Sequence, residues 1–132
     1  MKISKKVIII VIIAVLVVGA VVLAVYLKQV NNYQDKVQNM EFTDINIISI
    51  PDGKYIGESD VDLISAKVEV MVTNGKIVSI DLVSHKNGRG KPAEKILYEM
   101  IEKQTTNVDA ISGATNSSIV IRKAVENALL GK

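Results

Sequence analysis

Cysteine is absent from this 132-residue chain, which excludes disulfides, iron–sulfur ligation and a lipid-modified N-terminal Cys. A single histidine, His85, is too few for a zinc site built mainly from His and Cys. A serine hydrolase could recruit His85, yet no Gly-x-Ser-x-Gly elbow occurs to present the nucleophile. Tryptophan is missing, and one Phe and four Tyr are the only aromatic residues. Two of the tyrosines, Tyr55 and Tyr98, fall in the expected globular part and read as core or rim residues, so an aromatic sandwich around a ligand is not expected. No acidic residue precedes Asp35, and no charge at all interrupts residues 7 to 27.

That uncharged stretch is rich in Val, Ile and Leu. At a rise of about 1.5 Å per residue it is long enough to cross a bilayer core of roughly 30 Å. A cleavable signal would have a shorter apolar core and a small-residue cleavage site; Tyr26-Leu27-Lys28-Gln29 offers none. A pilin-like subunit would need a Gly cleavage point before the span and an acidic residue just inside it, and neither is present. An uncleaved anchor fits better. Lys2, Lys5 and Lys6 precede it, so the positive-inside tendency places a tip of residues 1–6 in the cytoplasm and the remainder outside. The expected order is tip 1–6, transmembrane anchor 7–27, polar stalk 28–40 and one domain, 41–132, large enough for a single modest core.

The formal charge of +2 hides an asymmetry. Four of the sixteen basic residues are Lys2, Lys5, Lys6 and Lys28, whereas all fourteen acidic ones lie later. Twelve basic side chains against fourteen acidic ones leave the remainder at −2. A nucleic-acid partner calls for a concentrated basic footprint, and none is expected here.

Within 41–132, Asn46 to Ile50 reads as a strand that stops at Pro51-Asp52-Gly53, and Tyr55-Ile56-Gly57 as a second. Ala66, Val68, Val70 and Val72 alternate with Lys67, Glu69, Met71 and Thr73, the pattern of a strand with one buried face. Asn74-Gly75 predicts a hairpin turn, and Lys76 to Val83 the return strand. There Ile77 is out of phase with Val78, Ile80 and Leu82, which implies a bulge or burial on both sides. Pro92 suits a first helical turn, and Ile96, Leu97, Met100 and Ile101 form one apolar stripe beyond it. A second helix, from about Ser117 and ending at Gly131, carries Val120, Ala124 and Ala128 beside Ile121, Val125 and Leu129. The expected fold is α+β: a small antiparallel sheet with two helices packed on it, preceded by one N-terminal transmembrane helix.

Between the two helices runs Asp109-Ala110-Ile111-Ser112-Gly113-Ala114-Thr115-Asn116-Ser117-Ser118. Gly113 can adopt backbone conformations closed to other residues, and Ser, Thr and Asn accept bonds from the free N–H groups of a first helical turn. Read minimally, the run is a good helix start with Thr115 or Asn116 as N-cap. Read chemically, a helix start beside a hydroxyl favours an anion, and phosphate-bearing ligands come first.

Ser112-Gly113-Ala114-Thr115 resembles the flavinylation motif of the FMN-binding domain family, found in flavin subunits of sodium-pumping NADH:quinone reductases and related membrane electron-transfer complexes. The likeness extends from Asp52-Gly53-Lys54-Tyr55-Ile56-Gly57 through Asn74-Gly75-Lys76-Ile77 and His85-Lys86-Asn87-Gly88 to Val108-Asp109 and Ala124 to Leu129. The resemblance implies the same α+β fold and FMN joined covalently by a phosphoester to Thr115, installed by a separate flavin transferase that uses FAD and magnesium. It implies redox partner proteins or quinone-linked donors at the membrane; because no convincing acid/base pair or nucleophile is evident in the sequence, an electron carrier is expected more than a stand-alone enzyme. The cofactor-binding set on this reading is Asp109, Ser112, Gly113, Ala114, Thr115, Asn116 and Ser117, with His85 and Asn87 near the flavin; no catalytic residue and no resident metal ligand are assigned. The absence of cysteine also removes a thioether flavin link. In the pump subunits the His is typically followed by Glu-Thr, whereas here Lys86-Asn87 follow it. Arg122, two helical turns beyond Thr115, is expected on an exposed position and stays outside the set. Two alternatives stand beside this reading: a module that holds or senses FMN non-covalently, and a cofactor-free structural or interaction domain.

Overall fold

A computed structural model describes residues 2–86 and 90–132. The chain divides into two compact units, Met1–Asn32 and Tyr33–Lys132. The first consists of most of a helix, α1 (Lys5–Gln38). Its Val and Ile residues would favour strands in water, but a segment without charge can satisfy every backbone group internally only as a helix or a closed barrel in lipid. Its apolar side chains are exposed along the whole hydrophobic window. The helix is long and apolar enough to cross a membrane.

The second unit is α+β, as expected. Strands β1 (Gly53–Asp60), β2 (Ser65–Thr73) and β3 (Lys76–Lys86) form an antiparallel sheet in the order β1-β2-β3. Asn74 and Gly75 join β2 to β3 with φ of 52° and 71°; two positive φ values match the right-handed twist of a tight hairpin. Ala66, Val68, Val70 and Val72 are buried. The phase conflict in β3 resolves as bulges. Val72 faces Ile77 while Met71 faces Ser79, leaving Val78 extra and exposed; a second shift opposite Lys67 and Val68 leaves Val83 exposed. The first bulge skips Val78, so that Ile77 and Ile80 both reach the core.

The expected strand at Asn46 to Ile50 is instead a 3-10 turn, Ile47–Ser49. Ser49 Oγ donates to Asn46 O at 2.7 Å, a local bond that competes with strand pairing. Only Ile47 of the first two isoleucines is buried, at 5% exposure against 81% for Ile48. A second 3-10 turn, Lys91–Lys95, carries Pro92 and leads into α2 (Ile96–Lys103). The last helix, α3 (Thr115–Leu130), begins two residues before the expected Ser117.

Helix α3 packs on β1 and β2, and its inner face is small where it crosses β1. A Cβ placed on Gly57 would lie 2.1 Å from Ala124 O and 2.3 Å from Ala128 N. Both atoms belong to backbone, so neither can rotate aside. Gly57→Ala therefore has to push α3 off the sheet, at a cost of about 3 kcal/mol. Thermal unfolding of the full-length protein in detergent should show the Tm of this unit lowered by at least roughly 10 °C; an unchanged Tm would contradict the close approach.

Candidate functional site

Four residues of loop set up the start of α3. Gly113 takes φ of 80° with nothing within 4 Å of a prospective Cβ, so the glycine is required by conformation and not by space. Ala114 follows at φ −136° and ψ 37° and is the N-cap, with no side-chain cap. That corrects the expectation of Thr115 or Asn116 as cap: both are helical residues, and the hydroxyl of Thr115 is left for other uses. Ser118 performs the stapling. Its Oγ accepts the Ile111 N–H at 3.0 Å and donates to Ala114 O at 2.8 Å, while Ala114 N–H donates to Ile111 O at 2.9 Å.

The capping leaves an open mouth. Among the described residues no acceptor meets the backbone N–H groups of Thr115, Asn116 or Ser117, and these donors sit at the positive end of a 16-residue helix. Asp109, Ser112, Gly113 and Thr115 are exposed at this mouth. Asn116 is half-buried and donates from Nδ2 to Tyr33 Oη at 3.3 Å. Ser117 turns inward: its side chain is buried, and its Oγ has no partner among the described residues.

His85 stands at the end of β3, with its imidazole 3% exposed and Nδ1 3.0 Å from Glu94 Oε1. The bond pins the Lys91–Lys95 turn, whose continuation puts Ile96 in the core. Asn87 lies outside the described residues.

Helix α3 has a second face, and here the structure adds residues the motif did not suggest. Thr115, Ile119, Arg122 and Glu126 follow one another at intervals of four, three and four, a single stripe on a helix of 3.6 residues per turn. A strap of residues 41–43 crosses that stripe. Glu126 is 0% exposed; its Oε1 accepts the Thr43 N–H at 2.9 Å and the Lys123 ammonium at 3.0 Å, and Lys123 also donates to Glu41 O at 2.6 Å. Thus held, Phe42 stacks on Arg122, with the guanidinium carbon 4.1 Å from the ring centre. A cavity of about 60 Å³ opens beside them. Phe42 and Ile96 line it together with Val108, Asp109 and Ala110 of the loop and Ser118, Ile119 and Arg122 of α3. Arg122 is thus partly buried and turned to the cavity, contrary to its expected exposure. Its spacing from Thr115 was a usable signal; the strap that covers it left none.

Residues 64–130, about half of the chain, match the FMN-binding domain family. The chain belongs to that family. Neither a curated protein nor a solved structure matches it. The residues present fit an FMN. Three unpaired N–H groups and an exposed hydroxyl suit its phosphate, and the buried Ser117 Oγ and Arg122 Nε are donors still without acceptors among the described residues.

The stapling role of Ser118 gives a direct check. Ser118→Ala removes the acceptor of the Ile111 N–H and the donor to Ala114 O, and should destabilise the FMN-binding unit by about 1–2 kcal/mol. Denaturant unfolding should show a lower midpoint with unchanged slope, and amide exchange at Ile111 should accelerate ahead of the β2 amides; an unaltered Ile111 rate would dismiss the staple.

Proposed function

We propose that this membrane-anchored FMN-binding protein carries its FMN as a phosphoester on Thr115 and relays electrons between membrane donors and an acceptor on the outer side. The observation that carries the reading is the placement of Thr115: an exposed hydroxyl on the first residue of α3, next to unpaired backbone N–H groups. A phosphate diester at that point keeps one negative charge, which the helix start and its free donors favour.

In the attachment step the Thr115 Oγ–P bond forms as the P–O bond between the two halves of FAD breaks. AMP leaves, and the hydroxyl proton passes to the transferase or to solvent. FMN supplies one- and two-electron transfer once in place, and the protein supplies binding, orientation and electrostatics. Gly113 supplies the left-handed turn before Thr115, Ser118 fixes the loop, and Asp109, Ser112, Ala114, Asn116 and Ser117 shape the surroundings of the phosphate. His85 and Asn87 belong to the same proposed set, near the ring. The uncharged helix and the Lys residues before it support an N-terminus in the cytoplasm and the FMN-binding unit outside. Redox proteins or quinone-linked donors at the membrane are the proposed partners.

In-gel ultraviolet fluorescence of denatured protein, made in cells that also express a flavin transferase, tests the linkage. The wild-type band should fluoresce, and Thr115→Ala should be dark while its stability stays within about 0.5 kcal/mol, as for an exposed site. Yellow native protein that loses all flavin on denaturation would replace the covalent reading with a non-covalent one. Colourless protein would leave an anchored domain without cofactor.

A further inference from the structure

Arg122 is the least explained charge on α3. Its neighbour Lys123 is engaged by Glu126 at 3.0 Å, but among the described residues no carboxylate comes within ion-pair distance of the Arg122 guanidinium. Its Nε is buried with no acceptor among those residues. Buried donors are ordinarily satisfied, and a planar guanidinium fixed against an aromatic ring is oriented for one partner more than for bulk water. Asp109 lines the same cavity without forming an ion pair with it. Arg122 also shares the helix face of Thr115, seven residues on and about 10 Å along the axis, a separation of the kind the ribityl chain between phosphate and ring spans.

We propose that Arg122 donates to the ring of the flavin carried on Thr115 and raises its reduction potential. The inference rests on the covalent reading above. The missing partner is an acceptor edge, which the pyrimidine side of a flavin provides. When a membrane donor gives the ring two electrons and one proton is taken up, the ring gains one negative charge. A cation with no carboxylate of its own stabilises the reduced ring more than the oxidised one. Phe42 holds the guanidinium in place, and Glu126 holds the strap that carries Phe42.

The test is the midpoint potential of full-length, flavin-loaded protein in detergent, for wild type, Arg122→Gln, Arg122→Met and Arg122→Lys, with the denaturing-gel fluorescence of each. All four should retain the fluorescent band, since Thr115 is untouched. Both neutral variants should favour reduction about tenfold less, a fall of about 30 mV for a two-electron couple. Arg122→Lys, which keeps the charge, should recover most of that difference, which a purely structural role would not produce. A fluorescent neutral variant with the wild-type potential overturns the assignment and leaves the covalent reading intact. Wild-type protein without a fluorescent band overturns both.

Discussion

Helix α3 lies so close to β1 that backbone meets backbone at Gly57, and the rest of the unit depends on that contact. The absence of a side chain there allows Ala124 and Ala128 to sit directly on the strand. Once they do, the rotation of α3 about its own axis is fixed. Val120, Ile121 and Val125 enter the core against β2, and the stripe through Thr115, Ile119, Arg122 and Glu126 is turned away from the sheet. A larger residue at 57 would lift the helix and free its rotation, and the register between the packed face and the chemical face would be lost.

The outer stripe has its own fixed point in Glu126. A fully buried carboxylate is costly unless hydrogen-bonded and paired, and here one oxygen takes both the Thr43 amide and the Lys123 ammonium. A hydrophobic residue could fill the same volume, but it would not select the strap by its backbone. The carboxylate therefore contributes position: it sets residues 41–43 over α3 and Phe42 over Arg122. The cavity beside Arg122 exists because this strap is held at one edge while the loop before the motif, stapled by Ser118, forms the other.

Much of this was legible from residue patterns. Alternation in β2, the Asn74-Gly75 turn and the phase slip at Ile77 are local signals, and each appears as expected. The strand at Asn46 to Ile50 failed because isoleucine content does not supply a pairing partner, and Ser49 closed a turn instead. The motif showed where α3 begins to within two residues. It could not show that Ala114 would be the cap, since side-chain preference at a helix start is weaker than the demand of Gly113 for a left-handed turn. The strap was illegible for a different reason. Phe42, Thr43 and Tyr33 meet α3 across some eighty residues of intervening chain, and nothing in their immediate sequence announces it.

The size of the cavity beside Arg122 bears on the proposed tether. The cavity beside α3 holds about 60 Å³, whereas sites that keep a small molecule by burial alone enclose roughly 300–1,000 Å³. A ring at this site would therefore bury only part of its surface, and the apolar area removed from water would be too small to hold it tightly. A phosphoester on Thr115 changes the requirement. On the proposed reading, docking of the ring would be intramolecular, and weak contacts with Ile119 and Arg122 would suffice at the high effective concentration a short tether creates. On the proposed reading, one exposed edge of the flavin then stays open to a partner, which electron transfer needs and a deep pocket would deny.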